Sequence, residues 1–410
     1  MKFENYAISD NIKKSLEEMG FRKPTDIQFK AIPSILKGED VLAIAQTGTG
    51  KTAAFAIPII HKLEISAHRR KPNRVRSLVM VPTRELALQI EEVVRSLSKY
   101  SKLSILAVIG GIDETRQINK FEHGVDILIS TPGRMFDLKS RGYFDFSETE
   151  TLILDEADKM LALGFNRDIR DVVHNLPRYH QTLFFSATIN EEIKDLAYSI
   201  VRNPIRIQLS PKDPVSKNVE HSVAFIEMDD KRFFLERMIN EQKDKKILVF
   251  VRTKVRAERL YNAMLRVGIE TLTLHGDKEQ ADRLDVLEKF RAGTVNVLIA
   301  TDISARGIDI KGVEFVVNYD LPDVDENYVH RIGRTGRGFE RGQAYSFCAE
   351  EEREMLKKIE AYIGKDIKVM DIDKVDYRMT KALTQEGDNN WKKLLEENEK
   401  EQAGRKKRKK

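Results

Sequence analysis

The feature that most constrains the fold is a repeated alternation of short apolar runs with longer segments of helical periodicity. In the first half of the chain the apolar runs read SLVMVP, DILIST, TLILDEAD and TLFFSAT, and segments such as TRELALQIEEVVRSL separate them. Short runs rich in Val, Ile and Leu are typical of buried parallel strands, and the periodic segments are typical of crossover helices. The sequence therefore predicts an α/β fold in which mostly parallel sheets are flanked by helices.

The alternation breaks once and then restarts, which indicates a second domain. Residues 208–220, QLSPKDPVSKNVE, contain two prolines and mostly polar side chains, as linkers do. Strand-like runs then follow again, from KILVFVRT through NVLIAT to QAYSFC. Because 410 residues are too many for one hydrophobic core, we predict two α/β domains of similar build that meet across a cleft.

Composition excludes several classes of protein. Hydrophobic residues make up 41% of the chain and charged residues 33%, which is a globular balance. No run approaches the roughly 18 apolar residues of a membrane span, and no charged-then-apolar leader opens the chain, so we expect a cytoplasmic protein. The single cysteine, Cys348, excludes an internal disulfide and a cysteine-ligated metal site. We interpret it as a small residue packed at a strand end.

Positive charge is concentrated at the C-terminus. The last six residues, 405–410, are all Lys or Arg, and subtracting their six charges from the net charge of +5 leaves −1 for the rest. We expect this basic tail to attract phosphates in a salt-sensitive and sequence-independent way. A solvated charge run that only aids solubility is the alternative.

The segment AQTGTGKT, residues 45–52, has the form of a phosphate-binding loop between a strand and a helix. It fits the pattern G-x-x-x-x-G-K-[ST] if the first glycine is relaxed to alanine. We expect the glycines to turn backbone N–H groups toward phosphate oxygens, Lys51 to reach the β and γ phosphates, and the Thr52 hydroxyl to face Mg²⁺. The candidate nucleotide-binding residues of the loop are Ala45, Gln46, Thr47, Gly48, Thr49, Gly50, Lys51 and Thr52.

The second half of the chain lacks a comparable loop. We take its strand KILVFV as the counterpart of DVLAIA in the first half, and this strand runs into RTKVRAERL without a glycine-rich turn. The sequence therefore predicts one nucleotide site rather than two.

An acidic cluster follows another apolar strand in LILDEAD, residues 152–158. Asp155 stands where a Walker B aspartate holds the Mg²⁺ shell. Glu156 is placed to polarise an attacking water as a general base. Asp158 lies further along and is better suited to signalling between segments.

Further short motifs occur in a fixed order along the chain. They are GFRKPTDIQ ending at residue 28, PTREL at 82–86, GG at 110–111, TPGR at 131–134, SAT at 186–188, QADR at 280–283, ATDISARGIDI at 300–310 and HRIGRTGR at 330–337. Together with the phosphate loop and DEAD, they resemble the DEAD-box RNA helicases from Phe3 to about Arg337, and within that family the bacterial RhlE-type members. The resemblance implies two tandem RecA-like domains, RNA-stimulated ATP hydrolysis with ATP and Mg²⁺, and sequence-independent binding of RNA.

The resemblance also implies roles for residues around the nucleotide. Gln28 would contact the adenine edge with Phe3 packed nearby, and Asp309 would reach the ribose from the second domain. A buried amide suits base recognition because a wrong base would leave its polar groups unpaired. The residues that would couple the ATP site to the RNA site are Asp158, Ser186, Thr188 and His330.

For RNA, the resemblance implies two sets of contacts. Small residues, hydroxyls and arginines at the carboxyl ends of strands suit a sugar-phosphate backbone rather than base edges. In the first domain the candidates are Pro82, Thr83, Arg84, Gly111, Thr131, Gly133 and Arg134. In the second they are Arg252, Thr253, Gly276, Arg283, Thr301 and Asp302.

The arginines of HRIGRTGR lie on the second domain, far along the chain from the phosphate loop. We interpret Arg334 and Arg337 as arginine fingers that stabilise charge on the γ-phosphate when the cleft closes. Gly333 and Gly336 would keep the turn thin enough to approach the nucleotide. For Arg331 two roles are open, a catalytic contact and a salt bridge to a nearby acid.

These expectations divide the chain and define a cycle. We assign a Q motif segment to 1–29, the first RecA-like domain to 30–208, a linker to 209–218, the second RecA-like domain to 219–370 and an extension ending in the basic tail to 371–410.

ATP and single-stranded RNA would bind across both domains, closure would bend the strand, and hydrolysis would reopen the cleft. An ATP-dependent RNA clamp and a DNA translocase are the rival functions, and ribosomal precursors and the RNA-degradation machinery are the partners considered.

Overall fold

A computed structural model describes residues 2–46, 48–66, 70–111, 114–209, 215, 218–305, 310, 312–336, 341–373 and 377–380. These residues form two compact units. Those up to 209 belong to the first unit and those from 215 onward to the second. Each unit is a parallel sheet flanked by helices, so the predicted fold class is confirmed.

The first unit is built on a seven-stranded sheet. Its strands are β1 (Val41–Ile44), β2 (Val75–Met80), β3 (Ile105–Val108), β4 (Val125–Ser130), β5 (Thr151–Leu154), β6 (Gln181–Ser186) and β7 (Ile205–Gln208). Its helices are α1 (Asp10–Glu18), α2 (Asp26–Leu36), α3 (Lys51–Ile65), α4 (Arg84–Leu97), α5 (Glu114–Glu122), α6 (Pro132–Ser140), α7 (Ala157–Ala162), α8 (Asn166–Asn175) and α9 (Glu191–Ile200), and a 3₁₀ turn covers Phe3–Asn5.

The strands of this sheet are mainly apolar because helices pack against both of its faces. Arg76 in β2 and Asp126 in β4 are buried exceptions, and their side chains pair at 3.5 Å. In β5, Leu152 and Leu154 contribute to the core on one face and Ile153 to the core on the other. The strand order is β3-β4-β2-β5-β6-β1-β7, and all the pairings are parallel. Parallel strands place all their carboxyl ends at one edge, so the loops that follow them are neighbours.

The second unit has its own seven-stranded sheet. Its strands are β8 (Val219–Phe225), β9 (Ile247–Val251), β10 (Leu272–Leu274), β11 (Val297–Thr301), β12 (Phe315–Asn318), β13 (Gly342–Cys348) and β14 (Lys368–Val369). Its helices are α10 (Lys231–Glu241), α11 (Lys254–Arg266), α12 (Gln280–Ala292), α13 (Asp302–Ala305), α14 (Asp325–Ile332) and α15 (Arg353–Ile363), with a 3₁₀ turn at Glu350–Glu352.

The second sheet repeats the topology of the first. Its order is β10-β11-β9-β12-β13-β8-β14, again with parallel pairings, which is the first order shifted by seven strands. The counterpart of β1 is therefore β8. Our prediction that KILVFV, which forms β9, corresponds to DVLAIA was wrong, because the position of a strand in a sheet depends on non-local pairing that periodicity does not report. β8 runs into IEMDDK, which also has no glycine-rich loop.

The structure bears on two further predictions, one about Cys348 and one about membrane spans. Cys348 is the last residue of β13 and is buried, and burial raises the pKa of its thiol to about 11. In the described part of the chain, the helices are all too short or too polar to cross a membrane.

A buried ion network fixes α10 to the rest of the second unit. The Lys231 side chain is completely buried, pairs with the Glu352 carboxylate and donates a hydrogen bond of 2.8 Å to the carbonyl oxygen of Tyr319. Glu352 also accepts a hydrogen bond of 2.8 Å from Arg252. Burial lowers the pKa of Lys231, and the neighbouring carboxylates of Glu352 and Asp320 oppose that shift.

We expect Lys231→Met to lower the free energy of unfolding of the second unit by about 3–5 kcal/mol, because it leaves a buried carboxylate short of its partner. Urea unfolding followed by circular dichroism measures the change. Lys357→Met is the matched control, since Lys357 pairs with Glu354 on the surface of the same unit and should have little effect. Equal stability of the two variants would contradict the assigned role of the network.

Candidate functional site

The candidate nucleotide residues of the first unit follow three adjacent strands. The phosphate loop follows β1, Ser186 ends β6, and Asp155 follows β5. In the sheet β6 lies between β1 and β5 and pairs with both. The order β5-β6-β1 therefore brings the loop, the serine and the acidic cluster together at the carboxyl edge.

The phosphate loop has the backbone geometry that its glycines predict. Gly48 has φ of +84° and Gly50 φ of +94°, in the left-handed region. A Cβ at Gly50 would lie 2.5 Å from the Gln28 side-chain nitrogen, and the positive φ by itself disfavours any other residue there. Ala45 is different, since its N–H still donates to the Ser186 carbonyl, 2.9 Å away, as part of the sheet. This position therefore continues the pairing of β1 with β6 by one hydrogen bond beyond the end of β1.

Gln28 fixes the Q motif segment to the phosphate loop. Its Oε1 accepts a hydrogen bond of 2.9 Å from the Thr25 N–H, and its Nε2 donates one of 3.1 Å to the Gly50 carbonyl. A primary amide has two donors and two acceptor lone pairs, so one of each is left over for an adenine edge. Phe3 is buried in the first unit with its ring centroid 6.0 Å from that of Tyr6.

Lys51 and Asp155 are both buried at this edge. The Lys51 ammonium donates a hydrogen bond of 2.9 Å to the Ala45 carbonyl. Burial raises the pKa of Asp155 to about 6, an effect that the positive charge of Lys51 opposes. A buried carboxylate of raised pKa is short of positive charge, and a divalent cation would supply it.

Glu156 has a strained backbone and a buried partner. Its φ of +54° and ψ of +47° place a glutamate in the left-handed region, which costs on the order of 1–3 kcal/mol. One carboxylate oxygen accepts a hydrogen bond of 2.7 Å from Lys159, and both side chains are buried. Sequence reasoning missed Lys159, although an amine three residues after a carboxylate at a helix start is the signal for such a pair.

The residues proposed for coupling within the first unit are in contact. The Ser186 hydroxyl donates a hydrogen bond of 2.8 Å to the Thr188 carbonyl, and the Thr188 hydroxyl donates one of 3.4 Å to Asp158. A chain of polar contacts thus connects the end of β6 to α7, which starts directly after Glu156. His330 lies in α14 of the second unit and is half-buried.

The RNA candidates of the first unit follow the other three neighbouring strands, β3, β4 and β2. Thr83 caps α4 by accepting a hydrogen bond of 3.3 Å from the Leu86 N–H, and Arg84 is exposed. A Cβ at Gly110 would lie 3.0 Å from the Arg84 guanidinium, so that glycine permits the close approach. Gly111 has φ of +84°.

The TPGR segment begins α6 at the end of β4. Thr131 is the residue before the helix, Pro132 is its first residue, and Gly133 is exposed with open space around it. Arg134 pairs with Asp137 and, at 3.0 Å, with Glu114. An RNA phosphate would therefore compete with two carboxylates for this arginine.

In the second unit the RNA candidates follow β9, β10 and β11, which are again neighbours in the sheet. Thr253 caps α11 and Gly276 is exposed with open space around it. Arg283 donates a hydrogen bond of 3.3 Å to the His275 carbonyl, and Thr301 donates one of 3.2 Å to the Ser304 hydroxyl.

Two charged candidates of this set already have strong partners. Arg252 lies 3.2 Å from Asp323 and 2.8 Å from Glu352. The Asp302 carboxylate accepts two hydrogen bonds, of 2.6 and 2.8 Å, from Arg331. No sequence signal could have shown the Asp302–Arg331 pair, since the two residues are 29 positions apart.

The arginines of HRIGRTGR differ from one another. Arg331 is 1% exposed, and besides Asp302 it bonds the Asn318 side chain at 3.2 Å and the Asp320 carbonyl at 2.6 Å. This geometry favours the salt bridge over the catalytic contact. The Arg334 guanidinium is buried and donates a hydrogen bond of 3.2 Å to the His330 carbonyl.

The glycines of the same stretch contribute to packing inside the second unit. Gly336 has φ of +64°, and a Cβ there would lie 2.6 Å from Val219. Gly333 has an ordinary φ of −69°. Three candidate residues, Thr47, Asp309 and Arg337, lie outside the described residues, as does the basic tail.

The described residues fit Mg²⁺ held together with a nucleotide. They contain no cluster of three or more His, Cys, Asp or Glu side chains that could hold a metal ion by itself. Mg²⁺ is commonly bound by one or two protein ligands together with substrate phosphates, and Thr52 and Asp155 have side-chain oxygens of the kind it prefers.

Comparison with known proteins places the chain in a family. The DEAD/DEAH box helicase model matches residues 25–196, and the helicase conserved C-terminal domain model matches residues 230–338. The ATP-dependent RNA helicase CshA of Listeria monocytogenes is 41% identical over 359 residues, which cover 88% of this chain and 68% of the relative. That relative does not confirm the narrower resemblance to RhlE-type members.

Two solved structures share the architecture of both units. Dbp5 of Saccharomyces cerevisiae, bound to RNA and ADP BeF3, is 30% identical with a TM-score of 0.81, over 94% of this chain and 99% of that one. Mss116, bound to ssRNA and UDP-BeF, is 27% identical with a TM-score of 0.82, over 94% of this chain and 82% of that one. The chain therefore belongs to the DEAD-box family of ATP-dependent RNA helicases.

Proposed function

We propose that the chain binds ATP with Mg²⁺ in its first unit and couples ATP hydrolysis to local unwinding of short RNA duplexes or to remodelling of RNA–protein complexes. The observation that supports the proposal is that the nucleotide candidates and the RNA candidates lie on separate halves of one sheet edge. The nucleotide candidates follow β5, β6 and β1, whereas the RNA candidates follow β3, β4 and β2. Both ligands would bind to the same rigid sheet, so the occupancy of one half can affect the other.

At the nucleotide half, the buried groups have distinct roles. Lys51 binds the β and γ phosphates, and Gln28 uses its remaining donor and acceptor on the adenine edge. Thr52 and Asp155 hold Mg²⁺, which when bound neutralises charge on the phosphates. Glu156, oriented by Lys159, accepts a proton from the attacking water.

At the RNA half, the groups suit a sugar-phosphate backbone. The candidates are mainly arginines, hydroxyls and glycines, and they lie at loops and helix starts where backbone N–H groups are also available. Such contacts do not read bases, which supports sequence-independent binding. The second unit repeats the arrangement after β9, β10 and β11.

Part of the proposal rests on sequence alone. Arg334 and Arg337 would supply positive charge to the γ-phosphate, Asp309 would contact the ribose, and His330 would join the coupling residues.

The helicase names of the relatives favour unwinding over an RNA clamp or a DNA translocase. A cytoplasmic location belongs to the proposal because ATP and RNA are both abundant there. Ribosomal precursors and the RNA-degradation machinery are proposed partners.

We expect Glu156→Gln to lower RNA-stimulated ATP hydrolysis roughly 10²- to 10⁴-fold, the usual contribution of a general base. Phosphate release measures the rate, and binding of a fluorescent ATP analogue should persist because the phosphate loop is unchanged. Glu92→Gln, at an exposed position of α4, is the control and should hydrolyse ATP normally. A Glu156→Gln rate within a few-fold of the original protein would contradict the role.

Arg337→Ala should lower ATP hydrolysis by roughly 10³-fold or more, which is the usual contribution of an arginine finger. ATP binding to the first unit should change little, and the thermal unfolding transition should be retained. Arg341→Ala, a basic residue a few positions further along the chain, is the control. Near-normal turnover by the Arg337 variant would exclude the proposed contact.

Deleting residues 405–410 should weaken RNA binding and flatten its salt dependence. Log affinity falls with log salt, and each phosphate that the protein neutralises on single-stranded RNA adds about 0.7 to the steepness of that fall. Fluorescence anisotropy with a short single-stranded RNA at several salt concentrations measures the slope. Arg405→Lys with Arg408→Lys preserves the charge and should keep the slope, whereas an unchanged slope after deletion would show that the tail does not bind RNA.

A further inference from the structure

The second unit carries an apolar groove that the proposed helicase cycle does not use. It lies between α10 and the sheet and has a volume of about 260 Å³. The side chains that line it include Ile226, Phe234, Met238, Phe315, Phe347 and Ile372. Small-molecule sites usually measure roughly 300–1,000 Å³, so this groove suits one or two apolar side chains better than a whole ligand.

The C-terminal extension passes along the rim of this groove. The Met370 N–H donates a hydrogen bond of 2.8 Å to the Val223 carbonyl, and Met370 and Ile372 are themselves part of the lining. Further on, the Tyr377 ring packs 4.9 Å from Phe234, centroid to centroid, and the Tyr377 hydroxyl donates a hydrogen bond of 3.0 Å to Asp230. These described residues therefore contact β8 at Val223 and α10 at Phe234.

The last described residue is bound to a residue of the groove. Thr380 accepts a hydrogen bond of 2.8 Å from Arg237, which lines the groove one turn of α10 beyond Phe234. The described chain therefore ends beside the groove. A segment ten to fifteen residues further on can reach it, because an extended chain spans at most roughly 3.3–3.6 Å per residue.

That part of the chain contains one apolar cluster. In WKKLLEENEK, residues 391–400, the apolar side chains are Trp391, Leu394 and Leu395, at the spacing of one face of a helix. We propose that these three side chains dock in the groove between α10 and residues 370–372 of the same chain. The indole ring would enter the groove, and the two leucines would cover its edge.

Charges at the rim match those of the segment. Arg237, Glu241 and Asp371 line the groove together with its apolar residues. In the segment, Lys392 and Lys393 come directly before the leucines, and Glu396 and Glu397 come directly after them. Arg237 pairs with Glu241 at 2.8 Å, and the lysines of the segment would bring positive charge to Asp371 at the same rim.

The same chain is the favoured occupant because it is tethered at the groove. A short flexible tether gives an effective concentration in the millimolar range, which a second copy or another protein rarely reaches. Docking would also leave the basic tail, residues 405–410, only about ten residues from the surface of the second unit.

Trp391 is the only tryptophan of the chain, so its fluorescence reports this contact directly. In the full-length protein we expect emission at shorter wavelength than in urea and weak quenching by iodide. Met238→Glu places a charge in the groove and should shift the emission to longer wavelength and raise the quenching constant several-fold. Leu265→Glu makes the same kind of change at an exposed position of α11 and should leave the signal unchanged.

Leu395→Asp tests the contact from the other side, without altering the folded unit. It should expose Trp391 as fully as Met238→Glu does, and it keeps the test decisive if Met238→Glu fails to fold by circular dichroism. An emission maximum in the unaltered protein equal to that in urea would overturn the proposal. So would a signal that changes with protein concentration, since it would assign the groove to a second copy.

Discussion

The structure depends on parallel strand pairing in two sheets that are covered on both faces. Parallel neighbours require crossover connections, and the helices of those connections bury both faces of each sheet. Such strands are mainly apolar, and β5 has side chains in both cores. The polar groups inside the strands are few and have partners, as Arg76 and Asp126 do, and most candidate functional groups lie in the loops at the strand ends. The fold therefore collects the chemistry of each unit at one edge before any ligand is considered.

The order of the strands places the RNA candidates and the nucleotide candidates on separate halves of that edge. In the first unit β2 and β5 are neighbours at the boundary, with the RNA candidates on one side and the nucleotide candidates on the other. The boundary is narrow, since adjacent strands lie roughly 4.8 Å apart. Asp155 follows β5 directly and its N–H donates to the Met80 carbonyl of β2, 3.1 Å away. Movement of the acidic cluster would therefore also move the PTREL segment that follows β2.

Local sequence patterns predicted the strands and the phosphate loop, whereas contacts between distant segments could not be predicted from such patterns. Continuous apolar runs identified the strands because both faces are buried, and the phosphate loop was recognisable because Gly48 and Gly50 need left-handed backbone. Strand correspondence failed for KILVFV, since sheet position is decided by contacts between distant segments. The same limit hid the partners of Arg252 and Asp302, which lie far along the chain from them. Lys159 was within reach of local reasoning, because its spacing from Glu156 is that of one helical turn.

The pair formed by Asp302 and Arg331 joins two sites that the sequence presents separately. Asp302 is an RNA candidate at the end of β11, whereas Arg331 lies in the last turn of α14, three residues before Arg334. Two short hydrogen bonds and almost complete burial of the arginine make this connection rigid, since breaking it would leave a buried charge without a partner. Gly336 fixes the other end of the stretch against Val219, where no larger residue fits. An RNA backbone that displaces Asp302 would therefore displace α14 as well, and with it the arginine that we place at the γ-phosphate. The buried arginine thereby links the edge of the second unit where we place RNA to the arginines that we propose as fingers.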